Sequence, residues 1–373
     1  MKTFDAIIVG GGIIGGSLAF ELATRKLSVL IMDRQVPGQE ASWAAAGMLA
    51  PEPESADDIH VLPLARMSLA SYPRFVEAIE EASGLTAQFR SDGTLRLYFG
   101  LDGESERDRA AASHRQAGLS TESVSIAQAR EIEPSIATSA TAATWLPYEC
   151  SIDPRALTHA VLTAAEHKGV ELRHGPAVNE ILIGDGRCDG VVAGGETFRS
   201  RHVIIAAGCF SAGVDGMSRY APTCPVRGQI VALQPSKYSP KRVLRAHNGY
   251  VVPRNDGRVI AGSTSENAGF EKQVTAEGIE QILRAATELA PSLASAVIVD
   301  AWSGLRPDTP DHLPILGPTD IEGLWIATGH YRNGILLAPA TANVMAQLIV
   351  GEPSSTDLSP FSPSRFFTQL TSP

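Results

Sequence analysis

The most constraining stretch lies near the start of the chain, where the apolar run Phe4–Val9 gives way at once to Gly10-Gly11-Gly12 and then Gly15. A short run with no polar break reads as a strand buried on both faces. Ile14–Thr24 reads as a helix with small residues along one side, and Leu27–Met32 as a second buried strand ending at Asp33. The spacing Gly10-x-Gly12-x-x-Gly15 therefore falls on a strand-to-helix turn. Gly10 permits the tight turn, Gly12 lets a pyrophosphate approach the backbone, and Gly15 lets helix and strand pack closely. The helix N-terminus adds unpaired N–H groups and a positive dipole end. Asp33 stands about 20 residues on, the separation at which a carboxylate accepts hydrogen bonds from a ribose. Such a unit opens a parallel sheet that binds a dinucleotide, and these residues alone leave NAD and FAD both open.

Beyond this unit, helical spacing covers Arg66–Ser83, Ser105–Gly118, Pro154–Gly169, Thr275–Leu289 and a long segment from about Ile335 to Val350. Gln88–Tyr98 alternates as a strand, and Glu171–His174 is another. Glu180–Ile183 and Gly190–Ala193 flank the hairpin turn Gly184-Asp185-Gly186. Val203–Ala207 is an apolar strand stopped by Gly208, and Val297–Ala301 and Leu324–Thr328 are further strands. Between Val226 and Gly262 the pattern becomes strands and turns: Gly228–Leu233, Gly249–Pro253 and Arg258–Gly262, with Asn255-Asp256-Gly257 at a hairpin. The tail Gly351–Pro373 is rich in Ser and Pro and reads as irregular apart from a short anchoring piece. Because β-rich stretches fall between α/β pieces, the expected fold class is α/β, α+β overall. A Rossmann-type domain is interleaved with a smaller domain built on an antiparallel sheet.

Charge narrows the partners. The formal net charge of −10 argues against general binding to nucleic acid or to anionic membranes. The four cysteines, Cys150, Cys188, Cys209 and Cys224, form no CxxC pair and read as buried thiols of a reducing compartment. The apolar stretch Ala6–Phe20 is broken by glycines and preceded by Asp5, unlike a signal peptide, and it is too short for a membrane span. A cytoplasmic protein with no integral membrane segment is expected.

Three further blocks resemble one family. They are Ala44-Ala45-Ala46-Gly47-Met48-Leu49; Trp302-Ser303-Gly304-Leu305-Arg306-Pro307 with Asp311–Gly317; and Gly329-His330-Tyr331-Arg332-Asn333-Gly334-Ile335-Leu336-Leu337-Ala338-Pro339-Ala340-Thr341. Together, from about Phe4 to Leu348, they resemble the D-amino acid oxidase superfamily of FAD-dependent oxidoreductases, and within it the glycine-oxidising branch tied to thiamine biosynthesis in bacteria. The resemblance implies an FAD-binding domain of residues 1–85, 150–222 and 300–373 and a substrate domain of residues 86–149 and 223–299. It implies FAD in an extended form, with Gly10, Gly12, Ile13, Ile14 and Gly15 facing the pyrophosphate and Asp33 with Arg34 at the adenosine end. Ala41 and Ser42 would lie along the phosphates, Ala46, Gly47 and Met48 near the isoalloxazine, and Val178 against adenine through its backbone. The strand ending at Gly208 resembles the second nucleotide motif of such flavoproteins. His330, Tyr331, Arg332, Asn333, Gly334, Ile335 and Leu336 would approach the pyrimidine edge of the flavin. A helix starting near Gly334 suits that place, since its N-terminal N–H groups favour the negative charge of reduced flavin.

For the substrate, the resemblance assigns Arg306 and Tyr250 to the carboxylate and Arg332 to the amine side, acting mainly through its backbone carbonyl. A guanidinium fork matches a carboxylate bidentately and stays charged. The implied reaction moves hydride from the α-carbon of a small amino acid to the flavin and thence to O2, and it needs no acid or base from the protein. His247 reads as a solvated neighbour. Sarcosine-oxidising relatives attach flavin through a cysteine near the segment matching Gly304–Thr309; no cysteine occurs in it, so non-covalent FAD is expected. Asn248 and Ser265 replace larger His and Met side chains of the branch, which puts the preferred substrate in question. A dehydrogenase with another electron acceptor and a non-catalytic nucleotide-binding module remain alternatives. The sequence does not give the oligomeric state and leaves a homo-oligomer open.

Overall fold

The computed structural model describes residues 2–51, 57–116, 118–236 and 238–370. In chain order the strands begin with β1 (Thr3–Val9), β2 (Val29–Asp33), β3 (Met48–Leu49), β4 (Thr94–Phe99), β5 (Glu122–Val124) and β6 (Ala140–Leu146). Next come β7 (Cys150–Ser151), β8 (Glu171–His174), β9 (Val178–Gly184), β10 (Arg187–Ala193), β11 (Glu196–Ile205) and β12 (Cys224–Gln234). The last are β13 (Val243–Ala246), β14 (Gly249–Pro253), β15 (Val259–Gly262), β16 (Val297–Asp308), β17 (Ile315–Pro318) and β18 (Leu324–Thr328). The helices are α1 (Ile13–Thr24), α2 (Ala41–Ala44), α3 (Leu62–Ser83), α4 (Gly103–Gln116), α5 (Ile126–Ile132), α6 (Pro154–His167), α7 (Ala276–Leu289) and α8 (Gly334–Ile349).

Two eight-stranded sheets carry the fold. In the first, β18, β11, β1, β2 and β8 lie side by side and parallel, with β17 antiparallel at one edge and the β9–β10 hairpin joined to β11. Its central strands are apolar at successive positions because both faces are covered. Ile8, Ile31 and Ile204 pack with α1, α3, α6 and α8, whereas Ile7, Leu30 and Val203 pack with Val191, Met217 and Tyr220. The second sheet runs β16-β12-β15-β14-β13-β4-β6-β5 and is antiparallel except where β13 meets β4. There the period is two. Leu95, Val231, Leu244 and Val251 face α7, whose Ile282, Ala286 and Leu289 cover them, while Ile230, Val252, Ile260 and Trp302 face the other way with Ala44 and Ala46. This is the α/β, α+β overall architecture that the sequence led to. β16 carries the antiparallel sheet on past the expected boundary at 300, as far as Asp308.

Several elements differ from expectation. Of Gln88–Tyr98 only Thr94 onward is strand, because Gly93 takes φ +75° and packs its backbone against the Trp145 ring, leaving no room for a side chain. β6 and β13 were not anticipated; the first is alanine-rich and the second short, so neither shows clear alternation. The cysteines are not uniformly buried: Cys188 and Cys209 are, Cys150 is half-buried and Cys224 is exposed, because it is the first residue of β12. In the tail, Phe361 and Phe366 are buried and anchor it. Among the described residues no helix is long and apolar enough to cross a membrane.

Candidate active site between two sheets

A cleft of about 1300 Å³ separates the carboxyl ends of the parallel strands from the inner face of the antiparallel sheet. Ligands of open α/β sheets bind at those strand ends. Gly10 leaves β1 with φ +113°, and a Cβ there would run into the Ala206 carbonyl at the end of β11. A Cβ at Gly15 would strike the Gly10 carbonyl, so α1 sits directly against the strand it follows. Gly12 is the residue before α1 and has no such obstacle; a Cβ there would meet only the Ser42 hydroxyl, at 3.2 Å. The open space above Gly12 is therefore cleft. Asp33 accepts from the Gly11 amide at 2.8 Å and holds the glycine turn at the end of β2. Ser42 accepts from the Ile13 amide at 2.9 Å. Arg34 lies 3.5 Å over the Phe210 ring and pairs with Glu40 at 2.9 Å, closing the end where Val178 also lines the wall.

At the opposite end α8 begins at Gly334, directed at the cleft. The Tyr331 amide donates to the Pro307 carbonyl at 2.9 Å, tying this turn to β16. His330 is buried and lies 3.1 Å from the Thr341 hydroxyl; burial pushes its imidazole down to about 3, so it is neutral at working pH. Pro339 lies inside α8 and has no N–H for the carbonyl one turn back. The Tyr72 hydroxyl of α3 donates to that Ile335 carbonyl at 2.8 Å. Ser68 enters the next rung, donating to the Leu336 carbonyl at 2.6 Å while accepting from the Ala340 amide at 3.2 Å. Two α3 side chains thus repair the first turns of the helix that faces the cleft.

The substrate side is set by register. Cross-strand partners point to one face, and Trp302, Ile230, Gly262, Tyr250, Arg245 and Arg96 form one transverse row on the cleft face. A Cβ at Gly262 would lie 2.6 Å from the Tyr250 hydroxyl, and one at Gly228 would collide with the Arg306 guanidinium. Tyr250 and Arg306 thus fold toward each other over a floor of two glycines. The guanidinium is fixed by the Ser263 hydroxyl at 2.7 Å and the Thr264 carbonyl at 3.1 Å. Beneath it, Arg227 pairs with Glu266.

Of the residues expected at the site, all line the cleft except Gly15 and Leu336. Gly15 serves packing, and Leu336 is turned into the core between α8 and α3. Arg332 is exposed, with its guanidinium 5.3 Å from the Tyr331 ring. Asn248 donates to Glu288 at 2.7 Å, Ser265 is exposed on the wall, and His247 is exposed as expected. Cys224 stands opposite Asp308 in register, so a thiol does border the Gly304–Thr309 segment through space; burial and Asp308 push its pKa up. Residues not anticipated brace the wall. Arg254, buried just after β14, donates to the Ala46 carbonyl at 2.6 Å, and Arg155 lies 3.5 Å over Trp43 and 4.3 Å over Trp302. Trp302 in turn donates to the Ala44 carbonyl at 3.1 Å. Basic residues opposite distant backbone carbonyls leave no local sequence signal.

The observed wall fits FAD: a glycine turn open only at Gly12, a carboxylate lining the cleft at the end of β2, and a long cleft ending at a helix N-terminus. Comparison with known proteins agrees. A family model described as FAD dependent oxidoreductase matches residues 5–348. The bifunctional protein ThiO/ThiG of Trichormus variabilis is 35% identical over 99% of this chain, which spans 56% of that relative's length. The glycine oxidase of Geobacillus kaustophilus is 34% identical, with 97% of each chain covered. The crystal structure of glycine oxidase from Geobacillus kaustophilus superposes with a TM-score of 0.93 at 32% identity, covering 98% of this chain and 99% of the other. The chain therefore belongs to the D-amino acid oxidase family of FAD-dependent oxidoreductases.

Proposed function

We propose that this chain carries out FAD-dependent oxidative deamination of glycine and other small amino acids, in the cytoplasm and in the service of thiamine biosynthesis. The observation that carries the reading is the convergence of Arg306 and Tyr250 over Gly228 and Gly262, facing a cleft whose far wall is the start of α8. Arg306 takes the substrate carboxylate in a two-pronged pair, and Tyr250 adds a hydroxyl donor to the same group. Held at that end, the substrate presents its α-carbon and neutral amine to the middle of the cleft. This orientation is the protein's main contribution. FAD, when bound along that wall, would supply the hydride acceptor and the route of the electron pair to O2, giving hydrogen peroxide. The imine left behind takes up water and releases ammonia and an oxo acid. Arg332 lies on the amine side, and His330, kept neutral by burial, adds no positive charge near the helix start. Gly10, Gly12, Ile13, Ile14, Asp33, Arg34, Ser42 and Val178 hold the cofactor.

The direct test is product analysis of the flavin-loaded protein. With glycine and O2, glyoxylate, ammonia and peroxide are expected in equal amounts. Turnover only with an artificial dye would favour the dehydrogenase alternative instead. FAD is held without a covalent bond in this reading, because no cysteine lies within Gly304–Thr309, and burial and Asp308 push the bordering Cys224 thiol away from its thiolate form. Acid precipitation should therefore release all the flavin; yellow colour retained on the pellet would refute this.

A further inference from the structure

Arg306 is held from beyond the end of β15, and what holds it leads through the sheet to the opposite face. Its guanidinium donates to the Thr264 carbonyl at 3.1 Å and to the Ser263 hydroxyl at 2.7 Å, above the backbone of Gly228. Successive side chains of β12 face opposite ways, so Ile230 is on the cleft face while Arg227, Gln229 and Val231 are turned to the α7 side. There the Glu266 carboxylate accepts from the Thr264 hydroxyl, from the Arg227 guanidinium, and from the Gln229 side-chain amide at 2.8 Å. We infer that Glu266 is a positioning residue for substrate recognition: from the reverse face, through Thr264, it fixes where the Arg306 fork points. This rests on the amino-acid reading above, in which Arg306 takes the substrate carboxylate.

Three features support the assignment. First, the network is closed. Gln229 is fully buried; besides Glu266, its side-chain amide meets the Thr275 hydroxyl at 3.1 Å and the Thr275 N–H at 2.8 Å, and its own backbone N–H donates to the Thr264 hydroxyl at 2.9 Å. A glutamine buried without such partners would cost stability. Second, Glu266 and Thr264 move together. The Glu266 backbone exchanges two hydrogen bonds of 2.9 Å with Arg227, and its side chain is tied back to Thr264. Burial works against its charge, but the bonds from Thr264, Arg227 and Gln229 outweigh it and hold the carboxyl below its ordinary value. Third, Arg306 lies so close on Gly228 that a Cβ there would collide with it, so its acceptors at Ser263 and Thr264 set the plane of the fork. A carboxylate pairs with a guanidinium in one plane, and a tilted fork loses one of the two bonds. The substrate carboxylate keeps its charge while hydride leaves, so such a loss falls on binding and spares the chemical step.

A cycle of variants in the flavin-loaded protein tests this. Glu266→Gln keeps the shape and removes the charge; it should raise KM for glycine at least tenfold with kcat within twofold of the parent. Acetate, a carboxylate with no amine, should perturb the oxidised-flavin absorbance of that variant only at concentrations at least tenfold higher, while FAD affinity stays within twofold. Thr264→Val should share the defect and Thr264→Ser should recover most of it, a pair that decides the matter even where Glu266→Gln does not fold. In an Arg306→Ala background, Glu266→Gln should change kcat/KM by less than twofold, because residues that act through one group are not additive. An equal loss with and without Arg306, acetate affinity unmoved by Glu266→Gln, or Thr264→Ser as impaired as Thr264→Val would overturn the inference. The two failures separate. If glycine reduces the flavin of parent and variants with one KM, only the positioning role falls. If no amine reduces it but acetate binds and its affinity follows Glu266, the oxidation reading falls and the positioning role stands; if neither amine nor acetate engages the parent, both fall.

Discussion

Gly10 and Gly12 sit two residues apart but would answer a methyl group differently. At Gly10 a side chain meets both a left-handed backbone and the Ala206 carbonyl, so Gly10→Ala should cost about 1–3 kcal/mol of stability even without cofactor. At Gly12 the backbone is extended and the methyl would project into the cleft. Gly12→Ala should therefore leave the apoprotein melting temperature near that of the parent while weakening FAD at least tenfold. Flavin fluorescence titration checks this, and unchanged affinity would remove Gly12 from the cofactor wall. Arg306→Ala should keep FAD but lower kcat/KM for amino acids by about 2–5 kcal/mol, since truncation leaves the substrate carboxylate without its charge partner. Normal kinetics with bound flavin would dismiss Arg306. These residues were legible because their signals are local or belong to a contiguous block. Arg254 and Tyr72 were not, since their partners lie 208 and 263 residues away in the chain.

At the scale of elements, α8 shows how one helix depends on another. Its apolar pattern and its start near Gly334 could be read from the chain, but Pro339 implied a defect whose repair could not. Tyr72→Phe removes the only donor described for the Ile335 carbonyl and should cost about 1–2 kcal/mol. Thermal melts of the holoprotein would show the loss; a variant as stable as the parent would mean that the carbonyl finds another donor. The antiparallel sheet was legible where apolar and polar residues alternate, as in β12 and β14. It was hidden where alanine or short length blurs the period, as in β6 and β13. That gap hid part of the cleft wall, because β13 supplies Arg245 and pairs with β4, which supplies Arg96, and both line the cleft.

For the whole molecule, buried ionisable groups set how stability follows pH. Burial pushes His330 down to about 3 and His114 to about 4, whereas both would take up protons near 6.5 in the unfolded chain. Below 6.5 the unfolded state thus binds more protons, and stability is lost as pH falls toward 4. Glu149 acts in the opposite sense between 4.5 and 8, since its carboxyl is pushed up to about 8, but it is one group against two. Melting temperature should therefore fall between pH 6.5 and 4.5; a rise over that interval would contradict the burial of both histidines. Chain-wide organisation was legible from the way β-rich stretches interrupt α/β ones. The path of β16 was less so, because a strand of the antiparallel sheet runs directly into the segment that returns to the parallel one.

The most direct measurement of the central claim is anaerobic: glycine added to the flavin-loaded protein under nitrogen, with the oxidised-flavin absorbance followed in time. Bleaching to the two-electron-reduced spectrum, with one glyoxylate formed per flavin, is the expected result. An oxidised spectrum that persists with glycine, sarcosine, D-alanine and D-aspartate alike would contradict it.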